Sequence, residues 1–285
     1  MNNKQIKSMM KMVKLYGLFL AMWIACGLFV ACSSDDDKDE NEENVVDKKD
    51  KTEGKRLKSI EIVDSYGLVT ADFFYNSQNQ LANIRFVDET DRETWRVNIN
   101  FVWNGNTIGW DTGEEKYYAT VANGRTQNMT MVYDGYSSDM GTFYYDEKGR
   151  LERIGDQYSH EVAWDGDNIS RYEVKYNGEI RHRIDYTYTK HSAGMIAYEF
   201  CFNPFAEFDF LDVLPERALF YTGYCGPMSK NLPSKAIYRN GKGEETGSHT
   251  YKYKFQDGLV KHVDIDGYGD VGMPYPISMN FTWEE

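Results

Sequence analysis

From residue 57 to the C-terminus, apolar and polar side chains alternate with a period of two, the pattern of a strand with one buried face. Val97, Ile99, Phe101 and Trp103 fall on one side of the segment 97–103, and Asn98, Asn100 and Val102 on the other. The segments 172–176, 184–188, 251–255 and 277–283 repeat the design with aromatic and β-branched residues, the types that fit a pleated, half-buried surface. The alternation predicts an all-β chain, a large antiparallel meander of hairpins forming a curved or barrel-like sheet.

A short unit punctuates the strands: an aromatic residue, a turn containing Asn, Asp or Gly, then an aliphatic residue. It occurs at Tyr75–Leu81, Trp103–Asn106, Tyr145–Leu151, Trp164–Ile169, Tyr176–Ile180 and Phe255–Val260. Asn-Gly and Asp-Gly supply the positive φ that tight hairpin turns need, so each copy predicts a reversal of the chain. One stretch breaks the pattern. Between Met195 and Lys235, Asn203-Pro204 and Pro215 can each open a helical turn and Gly223 can end one, predicting a short helical insertion near residues 200–222. Its Phe and Leu residues are expected to cover one end of the sheet, since they would otherwise expose a large apolar patch.

The first 31 residues read differently. Lys4, Lys7, Lys11 and Lys14 precede the apolar run Leu15–Ala31, the order of an export signal. At its end Leu28-Phe29-Val30-Ala31-Cys32 resembles a bacterial lipobox, with Phe29 where Leu is commoner. The resemblance implies cleavage before Cys32 and lipidation of its thiol, hence a membrane partner through the lipid anchor. Ser33-Ser34 and the acidic run from Asp35 to Glu40 are similar to the surface-export signal of Bacteroidetes lipoproteins. Three segments follow: a signal peptide over 1–31, a lipidated cysteine with an acidic tether over 32–56, and one β-domain over 57–285 with the insertion at 195–235.

The turn units resemble the YD or Rhs-type repeat. Together with the lipobox, residues 57–285 resemble a family of Bacteroidetes surface and outer-membrane lipoproteins of unknown function with a porin-like antiparallel sheet. The segment Gly223-Tyr224-Cys225-Gly226 and Ser229–Lys235 is part of that likeness. The resemblance carries over no catalytic residue, because the family has no assigned activity.

Charge and chemistry narrow the functions. The chain of 285 residues carries 45 acidic and 32 basic side chains, net −13, which argues against nucleic acid as a partner. Removing residues 1–31 takes away four lysines and brings the mature chain to −17. Outside the cytoplasm, Cys201 and Cys225 are a candidate disulfide across the insertion; two separate buried thiols are the alternative. The five histidines show no metal-ligand spacing, and no nucleophile elbow, P-loop or dinucleotide fingerprint occurs, so no metal, cofactor or catalytic residue is assigned. Aromatic residues beyond the needs of a core could stack on sugar rings, with Trp95, Trp110, Tyr117 and Tyr118 as candidates, although a curved sheet also fills its core with rings. Lipid-facing strands alternate too, but strands rich in Lys and Glu argue against a wall immersed in lipid. The expected role is non-enzymatic binding or structure at the cell surface, with a glycan or envelope protein as partner. The alternative is a glycan hydrolase using a dispersed carboxylate pair.

Overall fold

The predicted alternation becomes sixteen strands in a computed structural model that describes residues 55–63, 67–90, 94–113, 115–194, 218–269 and 276–284. They are β1 (Leu57–Val63), β2 (Gly67–Tyr75), β3 (Leu81–Thr90), β4 (Thr94–Asn104), β5 (Thr107–Asp111), β6 (Glu115–Ala122), β7 (Arg125–Tyr133) and β8 (Tyr136–Tyr145). The second half comprises β9 (Leu151–Ile154), β10 (Tyr158–Asp165), β11 (Asn168–Tyr176), β12 (Glu179–Ser192), β13 (Asn231–Asn240), β14 (Glu245–Gln256), β15 (Leu259–Gly269) and β16 (Ile277–Trp283). Each strand pairs antiparallel with the next in sequence, and β1 closes the barrel on β16 with Ile60 opposite Phe281 and Ile62 opposite Met279.

The wall has an apolar lumen and a polar outside. Ile60, Phe73, Ile84, Phe86, Ile99, Val263, Met279 and Phe281 belong to one continuous buried cluster. Their neighbours along the strands, among them Glu61, Arg85, Arg96, Asn98 and Asn100, face outward and, apart from the buried row, are exposed. A lipid-spanning barrel has the reverse arrangement, an apolar outer band around a polar channel. A round barrel of sixteen strands also leaves a water-filled channel; here the lumen is packed with side chains.

Both ends of the body lie at one end of the barrel, which we call the near end. Arg56 there bonds Glu284 at 2.5 Å, and the Glu284 N–H donates to the Arg56 carbonyl. The connections from even to odd strands are also at this end, and the connections from odd to even strands are at the far end. At the near end seven rings perform the same task. Tyr75, Trp103, Tyr145, Trp164, Tyr188, Tyr253 and Trp283, near the ends of their even strands, donate to the carbonyls of Leu57, Leu81, Thr126, Leu151, Ile169, Pro233 and Val260. The distances run from 2.5 to 3.0 Å. Each carbonyl belongs to the beginning of the preceding odd strand, where the two strands part and the ladder no longer supplies a donor. Burial pushes the Tyr75 and Tyr145 hydroxyls up in pKa, which keeps them protonated as donors.

The segment returning from the insertion closes the near end. Ala218, Leu219, Phe220 and Tyr221 are buried, with Tyr221 against Phe73 at 4.9 Å between ring centres. Backbone bonds stitch the segment to three hairpins: Thr126 N–H to the Tyr224 carbonyl, Lys230 N–H to Asp167, and Ala193 N–H to Lys230. The helical insertion expected at 200–222 lies mostly outside the described residues; its described end makes a 3₁₀ turn, Phe220–Thr222, closed by Gly223 at φ 80°. The apolar cover expected of this segment is seen in its residues 218–221.

Trp283→Phe keeps an aromatic ring but leaves the buried Val260 carbonyl without its donor. We expect it to lower unfolding stability by about 1–3 kcal/mol in urea titration, with an unchanged slope. An unchanged midpoint would show that packing of the ring, and not its N–H, holds the strand end.

Candidate functional site

The described acids and bases place the charge on the outer wall. Across β10 to β13, Lys175 bonds Glu161 at 2.6 Å and Glu173 at 3.2 Å. Asp185 takes Arg183 at 2.7 Å, Arg239 at 3.0 Å and Arg171 at 3.4 Å. Partial burial works to raise the Asp185 pKa, but the hydrogen bonds from Arg183 and Arg239 outweigh it and hold the carboxyl below its usual range. Glu161 and the nearly buried Glu173 share Lys175 on the wall rather than flanking a cleft. This arrangement organises a water-facing surface and leaves no free carboxyl pair at that place for acid–base work.

The rings singled out in the sequence separate by face. Trp110 and Tyr117 are 2% and 0% exposed and stack in the lumen, ring centres 5.4 Å apart, so they are core rings and not surface platforms. Tyr118, the next residue on β6, points the other way and is 42% exposed, its ring lying over Gly109 on the neighbouring strand. Trp95 lies on β4 with Asp88 as its cross-strand partner. Cys225 is buried beside Thr126, and burial raises the pKa of its thiol. Cys201 lies outside the described residues, as do Cys32 and the whole leader and tether through residue 54, so the predicted bridge and lipidation fall there.

The far end carries rings that the sequence did not single out. Tyr133 stands opposite Tyr136 at the β7–β8 turn, and Tyr158 opposite Tyr176 on β10 and β11. All four are exposed, from 42% to 70%. Directly opposed residues share a face of the sheet, so they form two cross-strand tyrosine pairs. Between them β9 pairs with β8 only at Phe143–Tyr145 and with β10 only at His160 and Glu161. Beyond β9 the two hairpins therefore rise toward the far end without strand pairing to each other. The Tyr176 ring lies under Arg181, whose guanidinium carbon is 5.6 Å from its centre, and the Tyr158 ring meets His160 edge-on. Alternation could have pointed to Tyr133, Tyr158 and Tyr176, which continue the inward rows through Met131, His160 and Val174; Tyr136 is shifted out of the Phe143 row by the bulge facing Met129 and Thr130, so only the register reveals its face.

No described protein family matches the sequence, and no curated protein does. Solved structures do match. A porin-like protein from Bacteroides uniformis is similar over 80% of this chain and 98% of its own, with a TM-score of 0.59 and 16% identity. A porin-like protein from Bacteroides vulgatus is similar over 81% of this chain and 99% of its own, with a TM-score of 0.52 and 8% identity. The chain thus shares an antiparallel, porin-like barrel fold with these proteins.

Two histidines lie inside the wall. His160 Nδ1 is 2.5 Å from the Tyr172 hydroxyl, and His249 Nδ1 is 2.9 Å from that of Tyr238. Burial lowers both pKa values from 6.5 to about 4. Between those values the unfolded chain takes up protons that the folded barrel refuses, so their contribution to stability is complete above pH 6.5 and declines as pH falls toward 4. Each histidine can account for about 3 kcal/mol of that loss. The carboxylates held low, Asp146, Asp185 and Asp264, lose their contribution only as pH falls through and below the ordinary carboxylate range. We expect the thermal midpoint to fall as pH is lowered from about 6.5 to 4.5, and a His160→Gln/His249→Gln variant to show a flatter profile over the same interval.

Proposed function

We propose that this chain is a lipid-anchored outer-membrane protein, displayed at the cell surface, whose barrel binds a glycan without catalysing its cleavage. The observation that carries the reading is the pair of exposed tyrosine pairs at the far end, opposite the end at which the chain enters the barrel. The barrel begins at Leu57 beside Trp283, so a barrel anchored through Cys32 is held from its near end, and Tyr133, Tyr136, Tyr158 and Tyr176 stand at the opposite end. Rings with an apolar face and a polar edge suit ligands that are themselves apolar on their faces and hydroxylated at their edges.

The outer-membrane location draws support from the lipobox and from the Bacteroides origin of the structurally similar proteins. The polarity of the wall supports anchoring by lipid rather than by the strands, because an outer face bearing Arg171, Lys175, Arg183 and Arg239 is costly to immerse in hydrocarbon. Several acyl chains hold a protein stably where one gives only ~10⁴ M⁻¹. Net acidity disfavours anionic ligands and so favours a neutral glycan.

Two measurements test the proposal. Cys32→Ala should release the protein from the membrane fraction into detergent-free buffer; a variant that stays embedded would overturn lipid anchoring. A screen of neutral glycans and envelope extracts should find a ligand whose binding drops roughly tenfold or more in Tyr136→Ala/Tyr176→Ala. Retention of an envelope protein in place of any glycan, or binding indifferent to the tyrosines, would reject the glycan reading. Protease treatment of whole cells should cleave the displayed barrel.

A further inference from the structure

The ring of near-end aromatics has one gap. Seven of the eight even strands present a Tyr or Trp there, and β6 presents Val121. The corresponding positions can be matched by register: Tyr75 stands opposite Leu81, Tyr145 opposite Leu151, Trp164 opposite Ile169, and Val121 opposite Thr126. At β5–β6 the strands stay paired to the end, with the Val121 N–H donating to the Asn106 carbonyl at 2.7 Å, so no side-chain donor is required and no ring is present. The space a ring would take is a pocket of about 220 Å³ lined by Gln78, Gln80, Trp103, Ile108, Val121 and Tyr224.

The lining is held in place from several sides. The Trp103 indole is fixed by its bond to the Leu81 carbonyl. The Tyr224 ring lies 5.6 Å from it, and the Tyr224 backbone is pinned to β7 through Thr126 N–H. Just beyond, Gly226 passes the Gly149 carbonyl so closely that a Cβ would come within 2.6 Å of it. The Gln80 side-chain carbonyl accepts from Asn76 Nδ2 at 3.0 Å, which orients its amide and leaves the NH₂ hydrogens available. The exposed Gln78 side chain stands at the entrance.

We infer that this pocket is a binding site for a single neutral sugar ring. A volume of about 220 Å³ falls below the ~300 Å³ at which drug-sized sites begin, so it suits a ligand of the size of one six-membered ring. The lining carries no formal charge. It is mainly polar: two primary amides offer both donors and acceptors for the hydroxyls of a sugar, and the Trp103 and Tyr224 rings complete the wall. The site lies at the end opposite the exposed tyrosine pairs, so it neither needs nor supports the glycan contact proposed there.

Filling the gap from within tests the inference. Methyl β-D-glucopyranoside, methyl α-D-mannopyranoside and N-acetylglucosamine should be titrated into the full mature chain, followed by calorimetry and by saturation transfer from protein to ligand. At least one should bind. Val121→Trp, which supplies the eighth ring, should abolish that binding and raise the thermal midpoint. Gln78→Ala, an exposed change with no bearing on the fold, should weaken binding up to roughly tenfold with an unchanged circular dichroism spectrum. All titrations are made in the Tyr136→Ala/Tyr176→Ala background so that the far end does not contribute, and there Arg96→Ala, on the exposed outer wall, should leave binding unaltered. The inference fails if none of the three sugars binds, if binding survives in folded Val121→Trp, or if indole competes for the pocket and binds more tightly than every sugar.

Discussion

The barrel depends on how its strand ends are satisfied where adjacent strands part company. A backbone carbonyl buried without a donor costs about 1–3 kcal/mol, and such carbonyls arise at the near end wherever adjacent strands part. The protein answers with one device repeated seven times: a Tyr or Trp near the end of an even strand reaches back to the first turn of the odd strand before it. Each ring fills space beneath the hairpin ends and supplies the missing donor with the same atoms. The gap at β6 obeys the same rule, since there the ladder itself runs to the end and the ring can be dispensed with.

With that end secured, the polarity of the wall follows from ordinary burial. The inward rows are apolar and the lumen is packed, while the outward rows carry Thr, Asn, Lys, Arg and acids, and the ion pairs around Lys175 and Asp185 span four strands. The shared fold with porin-like proteins therefore does not carry a porin's polarity with it. The same strand number can enclose a channel or a core, and which one is formed depends on the residues of alternate positions. Buried histidines fit this picture: within such a lumen their neutral form is favoured, and Tyr172 and Tyr238 supply their polar contacts.

Much of the fold was legible because hairpins are local. The turns at Asn79, Asn123, Asp134, Asn177 and Asp257 take the positive φ that their residue types allow. Four of the six aromatic–turn–aliphatic units, those at Tyr75, Trp103, Tyr145 and Trp164, mark near-end rings. The other two depart in informative ways. The unit at Tyr176 turns at the far end, and at Phe255 the bonding ring is Tyr253, two residues earlier. Tyr188 and Trp283 escaped the pattern because neither is followed by the Asn, Asp or Gly turn that defines the unit. Among the ring candidates, adjacency misled: Tyr117 and Tyr118 look alike in sequence, yet a period of two sends one into the core and the other into solvent.

By itself the amino-acid sequence determined the strand class and most reversals, because each depends on residues within a few positions of one another; of the insertion predicted at 195–235, the described residues 218–230 are not strand and 231–235 already belong to β13. Closure was decided by the tertiary structure, through pairing of Ile60 with Phe281 across more than two hundred residues, which no local period encodes. It was also the tertiary structure that decided which rings cap carbonyls, which form the core and which stand at the far end. Those roles depend on where a strand begins to part from its neighbour, and that is set by register around the whole barrel.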